Sequence, residues 1–281
     1  YYHDYYYKAE ARMNRYLLAY NNQILMDLSS MANMSSRGTI LTYSEDAGDI
    51  SLLQNTINET TTSEEIDAIK DEYFDGMILT GAPVEQIPFE EVDYWKELCE
   101  IFEFAKTHVY SSMFICWGAQ AALYYHYGIN KHMTDGKVFG VFEHNVVRAH
   151  NPLVRGFDEV FYAPHSRHTE IYKEDIEARS ELRILAESEE AGPHIISTEN
   201  GRQIFILGHQ EYDKETLAGE YFRDINKGLE IEVPKNYFRD DDPEKEILFR
   251  WRGHASLLFS NWLNYYVYQD TPYDLSELKT K

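Results

Sequence analysis

Short apolar runs in this chain repeatedly break at small residues and pass into amphipathic stretches. That strand–turn–helix order limits the possible folds more than any other feature. In one unit "GMILTG" reads as a buried strand, "GAP" as a tight turn, and residues 89–107 as an amphipathic helix. In the next, a strand over 113–115 leads through Cys116 into a helix over 119–127. A later unit has a strand over 203–207, a loop, and a helix over 214–228. Strands alternating with helices are joined by crossovers, so they pair in parallel and bury both faces. The expected fold is α/β, a parallel sheet covered by helices on both faces.

The flanking segments are read the same way. Leu17, Leu18, Ile24, Leu25 and Leu28 fall at turn-like spacings and predict a helix over 14–34, and "GTILTY" (38–43) predicts a strand. The polar stretch 44–72 is expected to end in a helix. A polar connector, "NYFRDDDPEKE", precedes a last helix expected over 254–268. With no internal repeat or low-complexity linker, residues 1–281 read as a single domain.

Composition narrows the partners. The chain carries 48 acidic against 26 basic residues, a formal net charge of −22. Such a field repels a polyphosphate backbone, so nucleic acid is not an expected partner, and an anionic cofactor would need a local basic pocket. The two cysteines, Cys99 and Cys116, make no disulfide framework and suit a reducing compartment. The most apolar late stretch, "SLLFSNWLNYYVY", contains Ser and Asn and falls short of a membrane span. No basic-then-apolar leader opens the chain, and the expected setting is cytoplasmic, away from membranes.

The chemistry centres on Cys116. Parallel α/β sheets gather ligands beyond the C-terminal ends of their strands. A thiol there meets backbone N–H groups and the positive end of the following helix, which favour the thiolate. Gly118 and Ala119 permit a tight strand-to-helix turn that can also aim N–H groups at an oxyanion. Read alone, Cys116 is as well explained as a small core residue. A base changes the balance. His209 follows the strand "QIFILG", and Glu211, two residues on, falls on the same side of an extended segment and can reach the far ring nitrogen. Cys…His-x-Glu is the order of a nucleophile, its base and the base's orienter.

A metal site is the competing use of the histidines. "HSRH" sets His165 and His168 three apart, and His-x-Glu could add two ligands, but there is no HExxH or paired CxxC. No metal is expected. His165 and His168 read as hydrogen-bonded loop residues, Cys99 as core, and "WLNYYVYQDTPY" as packing.

From residue 70 to the C-terminus the sequence resembles the homoserine O-acyltransferases (homoserine transsuccinylases). The matching blocks include "FDGMILTGAPVE", "PFEEVDYW", "ICWGAQAALYYHYGI", "GVFEH", "APHSRHTEI", "GHQEYDKETLAGEYFRD" and "LLFSNWLNYYVYQDTPYDL". The resemblance implies a flavodoxin-like sheet akin to class I glutamine amidotransferases. It also implies ping-pong acyl transfer to L-homoserine in methionine biosynthesis, with acyl-CoA as co-substrate, no permanently bound cofactor, and a homodimer. Cys116 matches the nucleophile, His209 the general base and Glu211 its partner. Lys137, Ser166 and Arg223 match substrate contacts, and a guanidinium suits an amino-acid carboxylate. The positions of Glu85 and Ser166 are associated with donor choice, and at the first glutamate goes with acetyl-CoA and glycine with succinyl-CoA. The physics agrees, because a carboxylate there would repel the free carboxylate of a succinyl group.

The sequence departs from the family in two places. The usual "GHPEYD" is "GHQEYD", which puts Gln210 beside the base. Residues 1–69 lack an "NLMP"-type loop, and "YYHDYYYKAEARM" stands where an apolar strand would. The expected activity is that of a homoserine O-acetyltransferase. The alternatives are succinyl transfer, a glutaminase-like amidotransferase, and a non-catalytic binding protein.

Overall fold

The sheet sets the ends of two neighbouring parallel strands side by side, and those ends carry the candidate chemistry. The structure is a computed structural model. It describes residues 73–268 continuously, residue 71, and the backbone of three short strands before them. Those three are β1 (Arg15–Ala19), β2 (Thr39–Tyr43) and β3 (Ile57–Glu59). The sheet continues with β4 (Phe74–Leu79), β5 (Val109–Ile115), β6 (His132–Val146), β7 (Val160–Glu170), β8 (Leu182–Ser188), β9 (Gly192–Thr198) and β10 (Gln203–Ile206). Among the described residues it has ten strands, in the order β3-β2-β1-β4-β5-β10-β9-β8-β6-β7.

This order corrects the expectation of a parallel sheet. From β3 to β10 every pairing is parallel, and from β10 to β7 every pairing is antiparallel. The antiparallel strands are the longer ones, so they hold most of the strand residues. Nothing in the strand–helix alternation foreshadowed this arm, because its strands follow one another almost without helices. The β8–β9 hairpin turns at residues 189–191, where the Glu190 and Ala191 N–H groups both donate to Ser188 Oγ. Gly192 then takes a φ of +69°, open to glycine at little cost.

Five α-helices accompany the strands in the described residues: α1 (Trp95–His108), α2 (Trp117–Tyr127), α3 (Lys173–Glu177), α4 (Thr216–Asn226) and α5 (Arg252–Asn261). A π-helical stretch, Trp262–Tyr268, continues α5. The two-residue alternation of β5 explains the layering. Phe114 faces one side with Phe102 of α1, Leu123 of α2 and Phe205 of β10. Met113 and Ile115 face the other side with Ile204, Ile206, Leu258 and Trp262. The central strands are therefore covered on both faces, as expected. Trp262 lies so close over β4 that a Cβ at Gly76 would meet its ring at 3.1 Å. Its indole N–H donates to Ser111 Oγ at 2.9 Å, which agrees with a packing role for the late aromatic run.

Other local expectations are revised. Residues 15–19 form a strand where a helix over 14–34 was expected, because parallel neighbours β2 and β4 on either side override the local spacing. The strand at 39–43 is present, and β3 was not foreseen. The helix expected at the end of the polar stretch falls outside the described residues apart from residue 71, as do residues 1–14 and 269–281. Cys99 is half-buried on α1 rather than in the core, and burial raises its thiol pKa. His165 and His168 lie on β7, not in a loop, and three residues along a strand put them on opposite faces. No helix among the described residues is long and apolar enough to cross a membrane.

Candidate active site

Cys116 occupies the turn between β5 and α2 with φ 54° and ψ −122°, a conformation that crowds the Cβ of any residue but glycine. Neighbouring backbone holds it there. The Cys116 N–H donates to Ile206 O at 2.7 Å, and the Cys116 carbonyl accepts from Gln120 N at 3.1 Å. The turn admits no bulk, because a Cβ at Gly118 would lie 2.6 Å from Leu79 Cδ2 and 2.6 Å from Thr80 O. A Cβ at Gly81 would lie 3.0 Å from Trp117 N and 3.1 Å from Cys116 Cβ. The segment after β4 therefore packs directly against the cysteine and the first N–H of α2.

β10 runs parallel to β5 with Ile206 opposite Ile115, so residues 207–211 emerge at the same sheet edge as Cys116. His209 Nδ1 lies 2.6 Å from Glu211 Oε1, and a hydrogen bond joins the ring to Cys116, leaving Nε2 as the nitrogen that faces the sulfur. All three residues are buried. Burial opposes a charged imidazole, yet the Cys116 thiolate and the Glu211 carboxylate outweigh it and hold the His209 pKa well above its ordinary value.

A second cluster sits one ring away. Tyr212 stacks on His209 with centroids 4.1 Å apart, and its hydroxyl donates to Glu220 Oε1 at 2.9 Å. Glu220 Oε2 accepts from Ser166 Oγ at 2.5 Å and lies 3.4 Å from Lys137 Nζ. Lys137 and Ser166 are thus brought together with each other and with the base. Arg223 is not brought in directly. It is half exposed and forks onto Asp224 at 2.7 and 3.0 Å, and Asp224 in turn lies 3.9 Å from Lys137 Nζ.

Glu85 sits half-buried on the loop after β4, within electrostatic reach of two cations. One is Lys131, whose ammonium donates to Ile87 O at 2.6 Å and caps the Phe89 ring; burial pulls its pKa down to about 8. The other is Arg167, a fully buried guanidinium held by Thr169 O and Ala191 O at 2.7 and 2.5 Å. Burial lowers the Arg167 pKa, and the nearby charges of Cys116, Glu170 and Glu85 work against that fall.

Sequence reasoning missed Glu220, Tyr212 and Arg167 as site residues. All three lie inside the blocks that carry the family resemblance, yet nothing in their local spacing marks them. A cavity of about 870 Å³ opens at the other end of the strands, between Val109, Tyr127, Arg202 and Gln203, and holds none of these groups.

The histidines form a cluster of their own. His144, His165 and His194, all fully buried, bring ring nitrogens within 4.8 Å of one another. His144 Nδ1 lies 3.0 Å from Phe142 O and must donate, so its Nε2 accepts from His165 Nε2–H at 3.0 Å. Burial pushes the His144 pKa down to about 3 and those of His165 and His194 well below ordinary. The Arg167 cation acts on all three rings and would repel a metal dication placed among them. The four-ligand set imagined from "HSRH" and His-x-Glu does not assemble, since His168 faces away from His165.

Solved structures with this fold include a glutamine amidotransferase from Thermotoga maritima, 13% identical, covering 90% of this chain and 98% of that one at a TM-score of 0.58. Another is a glutamine amidotransferase from Methylobacillus flagellatus, 9% identical, covering 90% and 95% at 0.55. At that identity the likeness is one of fold, and it relates this sheet to that of the class I glutamine amidotransferases. Nearer relatives are named homoserine O-acetyltransferases. That of Acetivibrio thermocellus is 59% identical over 228 residues, 80% of this chain and 75% of the relative. That of Clostridium tetani is 64% identical over 210 residues, 74% of this chain and 69% of the relative. The sequence profile described as homoserine O-succinyltransferase matches residues 12–273, including most of the segment set apart as divergent from sequence. A match over that span, with such relatives, places this chain in the homoserine O-succinyltransferase family.

Proposed function

We propose that this chain is a homoserine O-acetyltransferase, moving an acetyl group from acetyl-CoA to the γ-hydroxyl of L-homoserine through a thioester on Cys116. The observation that carries this is the line Cys116–His209–Glu211 at the ends of β5 and β10, with the Glu220 cluster one ring away.

In this reading His209 takes the proton of Cys116, and the thiolate attacks the acetyl carbonyl. The oxyanion faces the Trp117 N–H at the open first turn of α2 and the backbone of Gly81 beside it. The C–S bond to CoA breaks, and the CoA sulfur leaves with the proton from His209. Homoserine then enters, His209 takes the proton of its γ-hydroxyl, and the alkoxide attacks the thioester. The proton returns to Cys116 as O-acetylhomoserine leaves. Lys137 and Ser166 hold the amino acid, with Arg223 offered to its carboxylate once freed from Asp224.

Glu85 favours acetyl by charge and size. The same reading takes residues 1–281 as one catalytic domain, a cytoplasmic enzyme and a homodimer, with no cofactor held between turnovers.

Intact-protein mass spectrometry after mixing with acetyl-CoA or succinyl-CoA, without homoserine, tests it. The expected result is an acetyl adduct that Cys116→Ala abolishes and that homoserine removes. A succinyl adduct alone overturns the donor assignment. With no adduct and ammonia released from glutamine instead, the acyltransferase reading fails.

A further inference from the structure

His194 holds the chain on both sides of His209. Its carbonyl accepts from Leu207 N at 2.8 Å, its Nδ1 accepts from Gly208 N at 3.2 Å, and its Nε2 lies 3.4 Å from the Gln210 carboxamide. Since Nδ1 accepts a backbone N–H, the proton belongs on Nε2; the contact drawn to the Gln210 amide nitrogen is then assigned to its otherwise unpartnered oxygen by a flip of the carboxamide. His209 itself donates its N–H to Pro164 O at 2.8 Å, one residue before His165. Gly208 lies so tightly on the histidine layer that a Cβ there would sit 2.7 Å from His165 Nε2 and 2.8 Å from His194 Cε1.

We propose that His194 is a positioning residue, a neutral brace that fixes residues 207–210 so that His209 Nε2 meets the Cys116 sulfur. His144 and His165 complete the layer behind it. A buried imidazole suits this role because one ring gives an acceptor and a donor at fixed separation, matched here to the backbone before His209 and the side chain after it. Gln210 is the residue that meets the second nitrogen. The geometry of a nucleophile–base pair is sensitive to ångström-scale shifts, so loss of the brace would fall on the reacting pair rather than on substrate affinity.

The proposal rests on reading Cys116 and His209 as nucleophile and base, and the experiment separates the two. The rate of Cys116 alkylation by iodoacetamide is followed against pH in the wild type, His209→Ala, His194→Phe and His194→Asn, with kcat and KM for acetyl transfer. Phe keeps a ring of similar size without nitrogens, and Asn keeps an acceptor near Nδ1. The expected result is a rate–pH profile that His209→Ala moves to higher pH and that His194→Phe moves in the same direction. The kcat of His194→Phe should fall at least about tenfold with KM changed less than about twofold, and His194→Asn should recover most of the loss.

If His209→Ala leaves the alkylation profile of the wild type unchanged, the nucleophile–base reading falls and the brace with it. If His209→Ala shifts the midpoint but folded His194→Phe does not, the brace alone is overturned. Stoichiometric zinc in the purified protein that disappears in His194→Phe would overturn it as well. Should His194→Phe fail to fold, Gln210→Leu serves instead. A shift in the same direction supports the brace, and an unchanged midpoint overturns it.

Discussion

The Cys116 N–H donates to the carbonyl of Ile206 across 2.7 Å, so the turn that bears the thiol is tied to the strand that delivers His209. The bond joins residues far apart in sequence at the point where parallel β5 and β10 end together. Because the register pairs Ile115 with Ile206, the chemistry depends on neither strand slipping.

Gly118→Ala tests how tightly the turn is built. The added Cβ would meet Leu79 Cδ2 and Thr80 O at 2.6 Å, the second a backbone atom that cannot swing aside. The variant should lose about 1–3 kcal/mol of stability in urea unfolding and form the thioester slowly. Unaltered stability and acylation would mean that the turn has slack.

Glu211→Gln tests the orienter. The carboxylate and the thiolate raise the His209 pKa against the effect of burial, so removing the carboxylate should lower the imidazolium midpoint in a histidine NMR titration. A fall in kcat of roughly 10²- to 10⁴-fold should accompany it. The sign for stability follows from a folded pKa above the unfolded value of about 6.5. The wild type gains stability from this pairing below about pH 6.5 and loses it as pH rises through the folded midpoint, and the variant should show less of that dependence. An unmoved midpoint would remove Glu211 from the role.

Glu220 is the common acceptor for Tyr212 and Ser166 and the partner of Lys137. Glu220→Gln removes the charge that holds Lys137, and KM for homoserine should rise about tenfold, equivalent to about 1.4 kcal/mol. The rate of the first acylation by acetyl-CoA should change little. Equal loss in both half-reactions would place Glu220 with the base rather than with the amino acid.

Glu85→Gly probes donor choice. Loss of a carboxylate near Arg167 and Lys131 leaves more room and more positive field on the loop after β4. The variant should form a succinyl adduct on Cys116 that the wild type does not, read by intact mass. Acetyl preference unchanged in the variant would move the selectivity elsewhere.

The sequence alone determined the features that rest on short-range geometry. A strand ending at a small-residue turn identifies the Cys116 position; His209 and Glu211 do meet, but in a turn closed by the Tyr212 N–H on His209 O rather than on the extended segment their spacing suggested. The blocks around them were dense enough to identify the family from residue 70 onward. Only the tertiary structure decided what depends on register between distant strands. The antiparallel arm was hidden because β6 to β9 follow one another with only the short α3 and a single 3-10 turn between them, not the crossover helices that mark a parallel sheet. β1 reads locally as a helix and is held as a strand by its neighbours. Glu220 meets Lys137 across 83 residues and Ser166 across 54, separations at which no sequence period operates. His144, His165 and His194 come from three different strands, and their neutrality is a consequence of complete burial, a property that belongs to the packed molecule rather than to any stretch of its chain.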